Sequence, residues 1–150
     1  MKLQTKDAAI AGAVAGIAYA AVMEAGMRLF DDKLDDLALL GWPFVSDKRW
    51  APLAGMPPHL LNSIALAELY GATAARWLPG PPWLRGLAFV SLETVVLYPT
   101  ALLENHHPGI REGKIDRFWS WGAFWKNVPR HVVYGLVLGV VYDRLAGGHS

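Results

Sequence analysis

The chain has 150 residues, the length of a single domain, but 53% of them are hydrophobic and only 18% are charged. Its 14 basic and 13 acidic residues give a formal net charge of +1, which argues against a polyanion-binding surface and against nucleic acid as a partner. The absence of cysteine excludes a disulfide, a thiolate zinc site and a cysteine nucleophile.

The hydrophobic residues are concentrated in four blocks, which is not the pattern of a soluble domain. Each block is close to the ~20 residues that an α-helix needs to cross the hydrocarbon core of a bilayer. Because four crossings use more than half of the chain, the remainder is too short for a separate soluble domain. We therefore predict an all-α integral membrane protein with one transmembrane domain over 1–150, an up-down four-helix bundle whose helices are about 8–30, 59–78, 84–103 and 128–146.

The first predicted helix begins near Asp7, a suitable N-cap, and continues to Phe30. Lysines before the apolar run and the small-residue triplet 18–20 also fit a secretory signal peptide. The run continues past that cleavage site, whereas a signal core has roughly 7–15 residues, so we expect a retained helix.

A connection of about thirty residues follows the first predicted helix. It contains an amphipathic piece, so we expect this interfacial segment between helices one and two to lie along the membrane surface, with Trp42 and Trp50 at headgroup depth. Pro57-Pro58 predicts the start of the second helix, because proline is tolerated in the first turn.

Prolines also organise the second half of the chain. The segment 79–82 is a rigid turn that makes the second and third helices an antiparallel hairpin. Pro99 is expected to kink the third helix near Val95, and Pro129 to break the first turn of the fourth. Four crossings place both termini on one side, and the positive-inside rule favours a cytoplasmic location for the two long connections on the other.

The first and last predicted helices share the pattern GxVxGxxY, with glycine pairs at Gly12 and Gly16 and at Gly135 and Gly139. Glycines four residues apart form a flat face that lets another helix approach closely in lipid. We expect the first and fourth helices to pack on each other. The alternative is a homodimer or a larger complex formed through these faces.

The ionisable side chains inside the predicted helices include Glu24, Glu68, Glu93 and His131. Such a group costs about 2.5–3.5 kcal/mol at the bilayer centre on insertion scales, so each requires a partner, a water-filled cavity or a function. These residues are the candidate site.

Glu68 lies twelve residues before Gly80 and Glu93 thirteen after it, so the two carboxyl groups are expected at one depth. They could face each other and share a proton. Alternatively, Arg76 or Arg85 neutralises one of them, or Glu68 is a protonated packing residue.

On helical spacing, His131 and Tyr134 share one face of the last helix. We predict that Glu93 and His131 point into one cavity, together with Glu24 or Tyr134, because a carboxylate or an imidazole exposed to acyl chains is penalised. Such a cavity suits general acid–base chemistry on an apolar substrate.

Glu104 and His107 form a single Glu-x-x-His step. Di-iron four-helix bundles use two such steps and glutamates from the other two helices, and no second step occurs in this sequence. A metal site at Glu104 and His107 is therefore a minor alternative, and we expect neither a metal nor a cofactor. His59, His106 and His107 are otherwise interpreted as solvated interfacial residues, and Glu104 as a helix end.

Three stretches resemble the small bacterial inner-membrane proteins of the YagU-like kind. They are the Gly/Ala-rich first helix, HLLNS at 59–63 and RHVVYG at 130–135. The resemblance implies a four-helix protein of the cytoplasmic (inner) membrane and brings no catalytic residues with it.

Three functions fit these patterns, all with membrane lipids as partners. The first is an integral membrane enzyme or binding protein for a lipid-soluble small molecule, with Glu24, Glu93 and His131 as acid–base groups and Tyr134 orienting the ligand. The second is a proton- or ion-coupled carrier in which Glu68 and Glu93 hold the proton. The third is an accessory subunit that docks a larger complex through its glycine faces.

Overall fold

A computed structural model describes residues 5–30 and 33–147, and within these ranges every regular element is helical. Four long helical segments are joined by short helices and turns. In chain order the elements are α1 (Thr5–Phe30), α2 (Asp36–Gly41), α3 (Ala51–Ala72), α4 (Ala74–Trp77), α5 (Pro82–Leu97), a 3-10 helix (Tyr98–His106), α6 (Pro108–Arg111) and α7 (Trp121–Gly147).

The last helix is central to the packing. Helix α7 lies between α1 and α5, and α3 packs against α1. The apolar core among these helices contains alanines of α1 and larger residues of α3 and α7, among them Tyr70, Tyr134, Leu138 and Tyr142. Asp7 lies within the first turn of α1 and is buried, so it is not the N-cap that the sequence predicted.

The glycine pairs serve different interfaces from the one expected. Helices α1 and α7 do pack on each other, but Gly12 and Gly16 lie against Ser63 and its neighbours on α3, and Gly135 and Gly139 lie against α5. A Cβ atom added to Gly139 would be 2.1 Å from the carbonyl oxygen of Pro82. Both pairs are buried within the chain, so they present no open face to a second copy.

Helix α3 begins seven residues before the predicted start at Pro58, at Ala51. Prolines 57 and 58 lie inside it, so the intrahelical hydrogen bonds to the carbonyls of Leu53 and Ala54 are missing. Tertiary packing compensates for this loss: α2 crosses the first turns of α3, where a Cβ atom on Gly55 would be 1.8 Å from the carbonyl oxygen of Leu37. The expectation that Pro57-Pro58 starts the helix is therefore wrong.

The other two proline expectations also need correction. Instead of a kink within one α-helix, the chain changes from α5 to a 3-10 helix at Tyr98, next to Pro99. Pro99 has no N–H for the carbonyl of Val95, and a tighter helix follows. Pro129 lies well inside α7, whose first turn is intact because the hydroxyl of Ser120 accepts a hydrogen bond from the Ala123 N–H at 3.0 Å.

The two long connections pack together at one end of the molecule. Their shared apolar cluster, which we name the cap cluster, consists of Leu34, Ala38, Trp42, Ala51, Ile110, Ile115, Phe118 and Ala123. Trp42 is 3% exposed, so its expected position at headgroup depth is wrong, whereas Trp50 is half exposed. The indole of Trp42 is covered because Gly109 allows the backbone of α6 to contact its ring.

Two segments, Thr5–Phe30 and Pro82–His106, are long and apolar enough to cross a membrane. They differ in how much of their apolar surface the protein covers. In the most apolar part of Pro82–His106 only 17% of the residues are buried, compared with 44% in α1. The second segment thus leaves most of its apolar residues facing outward.

Candidate functional site

A cavity of about 500 Å³ lies among α2, α5 with its 3-10 continuation, and α7. We name it the large cavity. Most of its lining surface is apolar, although nearly half of the lining residues carry a polar group. The polar lining residues are Glu93, Thr94, Tyr98, Thr100, Glu104, His107, Asn127 and His131.

A second cavity of about 190 Å³, the small cavity, is enclosed by α1, α2, α3, α5 and α7. It is more polar than the large cavity and is lined by Tyr19, Asp36, His59, Asn62, Ser63 and Tyr134 in addition to shared residues. Leu39, Leu40, Glu93 and His131 line both cavities. These four residues therefore form the wall between the two spaces.

Glu93 and His131 form the charged part of this wall. The carboxylate oxygen Oε2 of Glu93 lies 4.0 Å from Nε2 of His131, and both side chains are largely buried. The other ring nitrogen of His131, Nδ1, donates a hydrogen bond to the carbonyl of Asn127 at 3.0 Å, because a carbonyl oxygen can only accept. Nε2 is beyond direct hydrogen-bond distance of Glu93 and is thus left to exchange a proton with a bound molecule or a water between the two groups.

The ring of Tyr19 lies between two histidines. Its centroid is 5.3 Å from that of His59 and 5.2 Å from that of His131. The Tyr19 hydroxyl donates to Oδ2 of Asp36 at 2.7 Å, so the ring is held by α2 as well as by its own helix. His59 is buried and donates from Nε2 to the carbonyl of Gly16, which corrects the expectation that it is a solvated interfacial residue.

Next to Tyr19 lies a buried ion pair that was not predicted from the sequence. Arg130 is 1% exposed, and its guanidinium lies 3.0 Å from the carboxylate of Asp36. It also donates to the carbonyl of Leu34 and to Oδ1 of Asn127. The cost of a charge in an apolar helix, which singled out His131, applies equally to Arg130 and was the available signal. Asp36 belongs to a polar run that reads as a solvated loop.

Tyr134 lines the small cavity, and its hydroxyl donates to the backbone carbonyl of Ser63 at 2.8 Å. The structure therefore brings Glu93, His131 and Tyr134 together around one space. The Tyr134 hydroxyl joins α7 to α3, and its hydrogen is already used in that contact.

Glu24 and Glu68 lie elsewhere. Glu24 is exposed on α1, where it pairs with Arg28 at 2.6 Å, and Glu68 makes no hydrogen bond or ion pair within the described part of the chain. Each is five residues after a cavity-lining residue, Tyr19 or Ser63, which rotates it by about 140° around its helix. The expectations that Glu24 joins the cavity and that Glu68 faces Glu93 are not met.

Glu104 and His107 line the large cavity, but the side chains of both form hydrogen bonds with backbone groups. Oε2 of Glu104 accepts from the N–H groups of Phe118 and Trp119 at 2.6 and 3.0 Å, and Nε2 of His107 donates to the carbonyl of Leu39 at 3.0 Å. Glu104 is buried and His107 is half-buried, so neither is the solvated residue expected, whereas His106 is exposed. Within 5–30 and 33–147 no three His, Asp or Glu side chains are arranged to hold a metal ion.

Comparison of the chain with models of protein families, with curated proteins and with solved structures finds no match. The resemblance to YagU-like proteins stays a prediction. The site itself combines a mainly apolar cavity with the carboxylate–imidazole pair of Glu93 and His131 at its inner wall.

Proposed function

We propose that the chain is a four-helix membrane protein that binds a lipid-soluble small molecule in the large cavity. The first support is the outer surface of the bundle. Large apolar side chains are more than half exposed on the long segments, including Ile17 on α1, Leu61 on α3 and Val95 on α5. A surface of this kind is stable against acyl chains and costly in water.

Exposed tryptophans mark both ends of this apolar surface. Trp77 and Trp83 lie at the end that holds the turn between α4 and α5, and Trp50, Trp119, Trp121 and Trp125 lie at the end that holds the long connections. The 22 residues of α3 between the two sets span about 33 Å at 1.5 Å per residue, close to the ~30 Å of a hydrocarbon core. Indole rings favour the two bilayer interfaces, so this spacing supports a spanning orientation.

The function rests on a single observation: Glu93 and His131 meet at 4.0 Å on the wall that the two cavities share. The large cavity is mainly apolar and has room for a chain or ring system of small-molecule size. A ligand whose apolar part fills it would bring its polar end to this carboxylate–imidazole pair. At 4.0 Å the two groups do not hydrogen-bond directly, so a polar group of the ligand that lies between them could exchange a proton with either one.

Retention of small molecules tests the proposal. The protein is purified in lipid nanodiscs, and the molecules released from it are identified by mass spectrometry. Leu40 lines both cavities, so Leu40→Trp is expected to fill the space and to reduce the retained compound by at least ~10-fold. Leu69→Trp is the matched control, since Leu69 is exposed on α3 and lines neither cavity.

Equal retention by Leu40→Trp and Leu69→Trp would show that the bound molecules are annular lipids and would remove the binding proposal. A proton flux into liposomes that needs Glu93 and no retained compound would instead favour the carrier function. Helix orientation is tested separately, by accessibility of single cysteines introduced into this cysteine-free chain.

A further inference from the structure

The charge of the cavity walls limits which polar group they can receive. Both cavities are lined by carboxylates, with Glu93 and Glu104 in the large one and Glu93 and Asp36 in the small one. Among the described residues, neither lining includes a lysine or an arginine. The guanidinium of Arg117 lies 4.0 Å from the Glu104 carboxylate, but Arg117 is exposed and does not line the cavity. An anionic ligand would therefore meet no arginine or lysine among the described lining residues, and burying an uncompensated charge is costly.

Arg130 is a cation next to the small cavity, and its guanidinium is already bound to groups of the protein itself. Its guanidinium contacts the carboxylate of Asp36, the carbonyl of Leu34 and the amide oxygen of Asn127, and its side chain is 2% exposed. Its charge is thus balanced within the fold before any ligand arrives.

The histidines present acceptors to the cavities. In His59, His107 and His131 one ring nitrogen contacts a backbone carbonyl and must carry the hydrogen. In the neutral ring the second nitrogen is then an acceptor. For His131 this acceptor is Nε2, which faces Glu93.

Most hydroxyl hydrogens in the walls are also used internally. Tyr19 donates to Asp36, Tyr98 to the carbonyl of Ser120, Thr100 to that of Leu97 and Tyr134 to that of Ser63. The donors that remain, such as the amide of Asn62, are neutral. The polar lining as a whole is richer in acceptors than in donors.

We infer that the ligand is a lipophilic amine that binds as the ammonium ion, with N–H groups directed at Glu93 and His131 and its apolar part in the large cavity. The inference rests on the proposed function. An ammonium group supplies the charge and the hydrogens that the walls lack, and hydrogen bonds between ions are stronger than neutral ones. Phe118 and Phe124 line the same cavity, and aromatic rings can attract a cation.

A matched series of ligands tests the inference. Decylamine, decanol and decanoic acid share one apolar chain and carry a cationic, a neutral and an anionic head at neutral pH. Each is titrated into the purified full-length protein in nanodiscs, and bound ligand is measured by native mass spectrometry. Empty nanodiscs correct for partition into lipid.

Decylamine is expected to bind at least ~10-fold more tightly than decanol, and decanoic acid more weakly than either. Glu93→Gln is expected to bring the affinity for decylamine to within about 3-fold of that for decanol, because it removes the charge and keeps the shape. Glu68→Gln, on a side chain outside both cavities, is expected to keep the preference of the wild type.

Equal affinity for the three heads, or tightest binding of decanoic acid, would overturn the amine inference while leaving an apolar-ligand function in place. No specific binding of any of the three to the wild-type protein would contradict the proposed function itself. The wild-type series discriminates between these results even where the Glu93→Gln variant fails to fold.

Discussion

The guanidinium of Arg130 lies 3.0 Å from the carboxylate of Asp36, a residue 94 positions earlier in the chain. The pair fastens α2, which supplies Leu39 and Leu40 to both cavities, onto α7, which supplies His131. This short helix of six residues, which also packs on the first turns of α3, is thereby held over the site.

Removing one member of this pair is expected to destabilise the protein. Arg130→Met leaves the Asp36 carboxylate without its buried partner, and breaking such a pair typically costs ~3–5 kcal/mol. The double variant with Asp36→Asn is expected to recover part of that loss. A double-mutant cycle on the free energy of unfolding, measured for the protein in detergent, tests this expectation. Arg28→Met, in the exposed pair with Glu24, is the control and is expected to change stability by less than about 0.5 kcal/mol.

Ligand retention is expected to depend on Glu93 and not on Glu68. Glu93→Gln and His131→Asn keep size and remove the acid and the base at the shared wall, so retained compound should fall ~10-fold or more while expression and melting temperature change little. Glu68→Gln has the same chemistry outside the cavities and should behave as the wild type. A Glu93→Gln variant with full retention would rule out a role for the pair.

A methyl group at Gly86 is expected to separate α5 from α7. Its Cβ atom would be 2.0 Å from the carbonyl oxygen of Gly135, and backbone cannot move aside as a flexible side chain can. We expect Gly86→Ala to cost ~1–3 kcal/mol by overpacking, measured as a lower melting temperature in detergent. Gly122→Ala on α7 has no clash and should be neutral or stabilising, since alanine is the better helix former.

Glu104 is expected to matter for stability through its two backbone contacts. Replacement by alanine leaves the N–H groups of Phe118 and Trp119 without their acceptor, a loss of about 1.5–3 kcal/mol for hydrogen bonds to a charged group. Glu104→Gln keeps one carbonyl oxygen and should be affected less. Unfolding of both variants is compared with that of Glu112→Ala, which alters an exposed carboxylate. A larger loss in the glutamine variant than in the alanine variant would contradict this assignment.

Asp35 is expected to make stability depend on pH. Burial raises the pKa of this carboxyl above its ordinary value of 3.8, although the hydrogen bond from the Ala38 N–H opposes the shift, and the neighbouring Asp36 adds to it. The folded state thus binds the proton more tightly than the unfolded state, so the stabilisation is complete below pH 3.8 and is lost as pH rises through the folded pKa. Asp35→Asn keeps the cap and should remove this part of the profile in unfolding measured from acid to neutral pH.

The sequence was informative where the free-energy cost of placing a residue in a given environment does not depend on which residues it contacts. Long apolar blocks located the four helical segments, and the penalty on buried charge selected Glu93 and His131, which the structure places on one wall. The same rule also selected Glu24 and Glu68, because it registers that a group is in a helix but not which way the group points. Glu24 and Glu68 are each rotated by about 140° around their helix from the cavity-lining residue five positions earlier, so they point away from the cavities.

The remaining differences depend on contacts between distant segments. Helix α3 extends through Pro57 because α2 crosses it at Gly55, and Trp42 is buried because two connections far apart in sequence form the cap cluster. Local proline and tryptophan preferences contain no information about these partners. Asp36 was overlooked for the same reason, since it is an ordinary loop carboxylate until Arg130 is placed beside it. Arg130 itself lies in an apolar helix, so the rule that selected His131 applied to it as well.

The central position of α7 has a consequence for biosynthesis. During translation α1, α3 and α5 are made first, yet α5 packs mainly on the helix that is made last, and α1 packs on it about as extensively as on α3. Until α7 packs between them, Asp36 lacks its arginine, Gly86 of α5 is uncovered and Glu93 lacks the imidazole of His131. Ribosome-bound chains that end before Trp121 should therefore be sensitive to protease, and synthesis of α7 should mark the point at which the protein becomes protease-resistant.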